Sequence, residues 1–297
     1  MIPAGRLPLL MLLVLGGLWG LSFSLSKLAV IGGIHPTAYV WWQSTGATIF
    51  LFLIIRRTGT AVPTGRRHLA FYAASALVGL VLPNLNIVMT ARYLPAGILS
   101  TLVTTVPMMT YAVALAWRME RFDPRAVVGL VLGLAGVLLI VGPDASLPDP
   151  TMAPWVLVAM ITPVLYASQN IISAKLRPEN TPSLAAALGM VVAGSLMSLP
   201  VMLASGGFRP LFSDGITAGD LAMVGQMIIT CLAYLLYFEI AKRAGPVFVS
   251  QVGYVVNIFG LGWGYLFFAE VPSPWIWAAI ALVFAGVWVV NRTRSSG

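Results

Sequence analysis

Long apolar stretches separated by short polar loops dominate the chain. Charge-free or nearly charge-free runs lie at about 8–31, 36–55, 69–90, 95–116, 125–141, 153–174, 182–204, 219–241, 246–268 and 274–291. Each approaches or exceeds the ~20 residues that an α-helix needs to cross a hydrocarbon layer about 30 Å thick. The runs are continuously apolar and do not alternate at period two, which excludes a transmembrane β-barrel. The pattern predicts an all-α integral membrane protein with ten transmembrane helices and no stretch long enough for a soluble domain. The first run is too long for a secretory leader and shows no small-residue cleavage site before a polar mature sequence, so it reads as a retained span.

Composition agrees. The chain is 59% hydrophobic and 9% charged, with a mean hydropathy of +0.92, against roughly 25% charged residues in a soluble domain. The single cysteine, Cys231, falls inside the eighth run, so there is no disulfide framework and no metal-ligand spacing. Nothing calls for a cofactor or a metal.

Charge sets the expected orientation. With the N-terminus in the cytoplasm, fourteen of the 17 Lys and Arg residues fall on the cytoplasmic side. Only Arg92 and Arg209 fall outside, and Lys27 lies near the end of the first span. That asymmetry obeys the positive-inside rule and places both termini in the cytoplasm. The net charge of +8 then reflects topology and anionic lipid headgroups, and needs no nucleic-acid partner.

The stretch Ala91–Val137 can be laid on Ala241–Val287 without a gap, at a constant shift of 150 residues. Arg92 falls on Lys242, Ser100 on Ser250, Glu120 on Glu270, Pro124 on Pro274, and Ala135-Gly136-Val137 on Ala285-Gly286-Val287. Internal repetition of this kind marks a fold built from copies of one unit. The boundaries are 1–145 and 146–297, forming one membrane domain. Each unit holds five helices, an odd number, so the second enters the membrane upside down relative to the first. Such inverted repeats are a common frame for transporters, with the substrate site between them.

The run Ala91-Arg92-Tyr93-Leu94-Pro95-Ala96-Gly97, then Pro107, Glu120-Arg121, Gly129, Gly133 and Ala135-Gly136, resembles an EamA repeat of the drug/metabolite transporter superfamily. Leu18-Trp19-Gly20-Leu21-Ser22-Phe23 is similar to the opening motif of that family. The resemblance covers essentially the whole chain, and within the family it looks most like amino-acid exporters of the YddG type. It implies a central cavity surrounded by spans 1, 3, 4, 6, 8 and 9. One departure stands out: members often carry an arginine in the second span, where this chain reads Trp41-Trp42-Gln43.

Residues three and four apart share a helix face, which selects candidate lining residues. The first span offers Trp19, Ser22 and Phe23; the third, Asn84; the fourth, Thr101, Thr104, Met108 and Tyr111. The sixth offers Tyr166 and Asn170; the eighth, Gln226, Thr230 and Tyr234; the ninth, Gln251 and Tyr254. For any single Ser or Thr, back-bonding to the helix or gluing of neighbouring helices is the competing role. Asn, Gln and Tyr at mid-span depth are costlier to leave unpaired, which favours a cavity wall for them. Pro83, Pro107 and Pro163 lie inside spans, where each removes a backbone donor, and they are candidate hinges. A static kink satisfied by neighbouring helices is the competing reading for each. Gly129, Gly133 and Gly136 mark a close-packing face for another helix of the chain or for a second protomer.

No Asp or Glu sits at the middle of any span, and only Lys27 and Arg92 come near a cavity. A proton-exchanging exporter of lipophilic cations would need an embedded carboxylate, and a carrier of phosphorylated sugars would need deep basic groups. The cavity is therefore expected to be neutral, suited to a small neutral or zwitterionic metabolite with apolar bulk, such as an amino acid, aromatic ones included. His35 and His68 lie near loops and read as interfacial residues. An intramembrane enzyme is disfavoured, because no His-Glu-x-x-His, paired aspartates or matched Ser/His occur at depth. An exporter working by alternating access, a passive channel or facilitator, and a multidrug-type exporter of other metabolites all share such a cavity. The oligomeric state stays open, and a monomer is compatible with the chain. Arginine outnumbers lysine 14 to 3, and Ala and Gly are abundant. This points to a bacterium with a GC-rich genome and to its inner membrane.

Overall fold

The structure is a computed structural model, and it describes residues 7–119, 122–141, 147–213 and 215–294. Glu120 and Arg121, part of the repeat motif, lie outside the described residues. The described chain is helical. Helices α1 (Leu7–Ile31) and α2 (Pro36–Thr58) are followed by α3 (Arg66–Ala76), which runs through a π-helical turn (Leu77–Val81) into α4 (Leu82–Thr90). Next come α5 (Ala96–Val103), α6 (Val106–Ala116) and α7 (Pro124–Val141). The second half holds α8 (Ala153–Ala159), α9 (Ile161–Lys175), α10 (Ser183–Ala204), α11 (Ala218–Ser250), α12 (Val252–Phe268) and α13 (Pro274–Arg294).

Seven helical stretches are long and apolar enough to cross a membrane, and α5 with α6 makes an eighth if that pair, bent by 41°, counts as one span. Two further apolar helices, α12 and Pro274–Val289, are shorter.

Local chemistry explains the ends and the breaks. Helix α2 starts on Pro36 behind His35, whose ring accepts the Thr37 N–H, and stops at Gly59 in the left-handed region. A capping box of Thr217 and Asp220 opens α11, supplying two of the partners that a helix start lacks. The eighth and ninth apolar runs are joined by α11, which is interrupted at Gly245 with φ 82° and ψ 168°. That backbone region is essentially closed to residues with a Cβ. Each candidate hinge proline lies within the first turn after an interruption: Pro83 after the π-helical turn, Pro107 after the Thr104–Thr105 break, and Pro163 after Met160.

Packing follows the small residues. Helix α1 crosses α12 at Gly20, where an added Cβ would come within 2.7 Å of Phe259 and 2.9 Å of the Gly260 nitrogen. The partner of the glycine face on α7 is α13: a Cβ on Gly136 would stand 2.9 Å from the Ala279 carbonyl, and one on Gly286 would strike the Gly129 carbonyl. Without a hydrophobic force between helices in lipid, such backbone approach is what holds them together.

Candidate functional site

A cavity lies among α1, α2, the π-helical turn, α4, α9, α11 and α12, with Val103 and Val106 at the α5–α6 break on one side. The space open to the centre of a water molecule is about 70 Å³. No Asp, Glu, Lys, Arg or His stands in its wall among the described residues.

One flank is an amide relay. Ser22 Oγ donates to Gln226 Oε1 at 2.8 Å, and Gln226 Nε2 donates to Gln43 Oε1 at 3.2 Å and to Thr230 Oγ1 at 3.3 Å. Thr230 Oγ1 also reaches Gln43 Oε1 at 3.5 Å. The relay ties α1 and α2 to α11. It ends on Gln43 Nε2, which is buried and has no hydrogen-bond partner.

The other flank is aromatic. Trp19 lies stacked against Tyr166 at 6.5 Å between ring centroids, edge-on to Tyr234 at 6.3 Å and tilted to Tyr237 at 5.9 Å. Tyr237 OH donates to Asn170 Oδ1 at 3.0 Å, and Asn170 Nδ2 donates to Thr110 Oγ1 at 3.3 Å. Gln169 Nε2 donates to Ser173 Oγ at 3.0 Å, while Gln169 Oε1 is buried without a partner.

The π-helical turn joins the two flanks. Pro83 has no N–H to return to the preceding turn, and the Gly79 carbonyl four residues back accepts the Tyr234 hydroxyl at 2.6 Å. Asn84 Nδ2 closes on the Leu80 carbonyl at 2.8 Å. A side chain from the second half of the chain thus satisfies a backbone acceptor that a proline has freed in the first.

Nine of the residues selected from sequence face this cavity: Trp19, Ser22, Phe23, Asn84, Tyr166, Asn170, Gln226, Thr230 and Tyr234. The other six lie elsewhere in this structure. Thr101 Oγ1 donates to Asn257 Oδ1 at 3.0 Å between α5 and α12, and Thr104 turns back on the Thr101 carbonyl at 2.5 Å. Met108 fills the space left by Gly133 on α7. Tyr111 OH accepts the Asp123 N–H at 3.0 Å, and Tyr254 packs edge-on to Phe284 at 4.8 Å. Gln251 sits at the joint of α11 and α12. Two causes act: the breaks at Thr104–Thr105 and Gly245 reset the helical phase beyond them, and the polar face of α5 turns to α12, so Val103, Val106, Val252, Gly253 and Val256 line the cavity instead. Tyr39 and Gln43 line the cavity as well, and so do Gln169 and Tyr237, which continue the polar faces of the sixth and eighth spans. A glutamine inside an apolar run at position 43, where the resembled pattern often carries arginine, was the signal available for the second span.

An ion cluster lies at one end of α1. Lys27 Nζ meets Glu270 Oε1 at 2.5 Å and stands 4.6 Å above the Phe268 ring. Glu270 also accepts the first two N–H groups of α5, Ala96 to Oε1 and Gly97 to Oε2, each at 3.1 Å. Ala269 in the left-handed conformation ends α12 and turns the chain so that Glu270 reaches that helix start, where the helix dipole favours a negative charge. A second cavity of about 310 Å³ borders Glu270, but both oxygens of that carboxylate are already engaged. In the α9–α10 loop, Arg177 donates to the carbonyls of Phe238 and Thr181 at 3.2 and 2.8 Å, and its burial lowers its pKa.

Comparison with known proteins adds the family. The EamA-like transporter family matches the chain twice, over residues 6–142 and 153–292. The chain is 24% identical over 283 residues to the uncharacterized inner membrane transporter YedA of Escherichia coli K12, covering 92% of this chain and 87% of that protein. It is 23% identical over 260 residues to the pseudopaline exporter CntI of Pseudomonas aeruginosa UCBPP-PA14, covering 86% of each. A solved crystal structure shares the fold with a TM-score of 0.67 at 18% identity, over 96% of this chain and 97% of that one. With two matches of one family spanning nearly the whole of an apolar helical chain, this protein belongs to the EamA-like transporter family and is a membrane transporter.

Proposed function

We propose that the protein exports small neutral or zwitterionic metabolites with apolar bulk, amino acids including aromatic ones, across a bacterial inner membrane. Ten spans form two inverted five-helix repeats, 1–145 and 146–297, with both termini in the cytoplasm. The two repeats rock about the cavity in alternating access, and Pro83, Pro107 and Pro163 serve as hinges. The observation that carries the substrate class is the uncharged wall, in which amides stand on one flank and Trp and Tyr rings on the other. Ten wall residues also form pairs at the 150-residue shift: Gly79 with Ile229, Asn84 with Tyr234, Ile87 with Tyr237, Val103 with Gly253, and Val106 with Val256. A site made of the same positions from both halves is what a pseudo-two-fold axis through the cavity would produce. The names of the relatives, an inner membrane transporter and an exporter, agree with the compartment and the direction.

The test uses purified protein in sealed liposomes. Uptake of labelled phenylalanine, methionine and threonine without an imposed proton gradient, with glutamate excluded, is the expected result. Failure of all four with and without the gradient removes the amino-acid assignment. Counterflow separates the carrier from a channel: preloaded unlabelled solute accelerates entry of label through a carrier only.

A further inference from the structure

The buried amides carry a finer reading. Gln43 and Gln169 are 1% and 3% exposed, and each holds one polar atom without a partner: a donor, Nε2, on Gln43 and an acceptor, Oε1, on Gln169. A buried polar atom without a partner carries a desolvation cost that a ligand group of the opposite kind would relieve. The side chains are not free to turn away. Gln43 Oε1 is held by Gln226 and Thr230, and Gln169 Nε2 by Ser173, which directs the unspent end of each amide.

The buried Tyr39 hydroxyl, also without a partner in this wall, can donate or accept, whereas the two amide atoms differ in sign and in place. Gln43 belongs to the relay, whose α11 members are Gln226 and Thr230. Gln169 shares Ser173 as a partner with Tyr237, and Tyr237 and Tyr234 bracket Trp19. Along α11, Thr230 and Tyr234 are four residues apart, which at 1.5 Å per residue separates the two levels by about 6 Å. Aromatic faces attract a cation that has left water.

We infer that the cavity binds its solute in one polarity, with a carboxylate oxygen on the amide nitrogen of Gln43 and an ammonium toward Gln169 Oε1 and the rings of Trp19, Tyr234 and Tyr237. This rests on the reading of the cavity as the site of the transported solute, and it narrows the substrate class to zwitterions. A neutral donor suits this role in a wall without charge: it recognises the carboxylate, and the ammonium of the same molecule supplies the compensating charge. Gln43 Nε2 has no surface open to water in this structure, so loading also widens the wall around it.

The experiment compares three probes of one shape: phenylalanine, phenethylamine, which lacks the carboxylate, and 3-phenylpropionate, which lacks the ammonium. Binding to the detergent-purified protein is measured by calorimetry, and transport is followed in liposomes. The wild type is expected to bind phenylalanine at least ~10-fold more tightly than either fragment, the range that a hydrogen bond to a charged group provides. Gln43→Met keeps the length of the side chain but removes the donor. It should weaken phenylalanine at least ~10-fold while leaving phenethylamine unchanged, and Gln43→Glu should reject both carboxylates and favour phenethylamine. Equal affinity of the wild type for phenylalanine and phenethylamine overturns the inference even if neither variant folds. Unchanged selectivity in a folded Gln43→Met, or failure of both carboxylates to bind, does so as well. Binding with the expected Gln43 dependence but no transport sinks the transport reading and keeps the polarity. Transport of all three probes alike does the reverse.

Discussion

Replacing Tyr234 by Phe tests the coupling between the freed carbonyl of the third span and the second half of the chain. The change keeps the ring that meets Trp19 edge-on at 6.3 Å and removes only the hydroxyl that donates to the Gly79 carbonyl at 2.6 Å. That carbonyl lies in the turn before Pro83, which has no N–H to offer it. Leaving a buried acceptor without a partner costs about 1–3 kcal/mol. Pro83→Ala in the same chain supplies a backbone N–H to this turn, so the double variant should recover at least ~1 kcal/mol relative to the sum of the single changes. Reversible unfolding in mixed micelles of graded detergent composition reads all four corners of the cycle. If Tyr234→Phe falls within about 0.5 kcal/mol of the wild type, or if the cycle shows no coupling, the carbonyl is satisfied by other means and the argument fails.

Other outcomes follow from the same geometry. Glu270→Ala leaves Lys27 without its counter-charge and the α5 start without a cap, and should cost about 3–5 kcal/mol; a melting temperature equal to that of the wild type would contradict the cluster's role. Lys27→Met should cost less, because Glu270 keeps its two backbone donors, and the same melting experiment ranks the pair. Gly286→Ala drives a Cβ onto the Gly129 carbonyl and to 2.9 Å from the Gly133 nitrogen, a strain of about 1–3 kcal/mol. Gly262→Ala meets nothing within 4 Å and serves as the neutral control. Gly245→Ala forces a side chain into a glycine-only backbone region, again at about 1–3 kcal/mol, and a variant as stable as the parent would show that the break relaxes.

Spans are legible in a sequence like this one because lipid imposes length and apolarity on every helix, and those two properties survive averaging over many residues. Facing is harder. In α1 and α11 the helix runs unbroken through Trp19, Ser22 and Phe23 and through Gln226, Thr230 and Tyr234, so spacing alone brings the right side chains inward. In α6 and α12 the same arithmetic fails, since one interrupted turn rotates everything beyond it, and in α5 the polar face meets α12 instead of the cavity. Thr101 and Thr104 then serve the helix interface and their own backbone, and valines take the cavity face. Gly245 could have warned of this, as a glycine followed by proline inside an apolar stretch, but its left-handed φ is a property of the folded chain. Gln43 was visible as a polar residue at depth; what it lacked was a known neighbour, because Gln226 is contributed from 183 positions away.

The Lys27–Glu270 pair has a bearing on how the chain is made. The two residues are 243 positions apart, so at a synthesis rate of about 5–20 residues per second, Lys27 waits roughly 12–50 s for its counter-charge after it has been translated. During that interval the first helix carries an uncompensated ammonium near a lipid boundary, with only its own flexible stem to lift the charge toward the headgroups. The last tenth of the chain therefore completes the first helix, and a ribosome stalled before residue 270 leaves Lys27 without its counter-charge near the end of that helix. Pulse-chase turnover of chains ending just before and just after Glu270 should show the shorter product cleared faster.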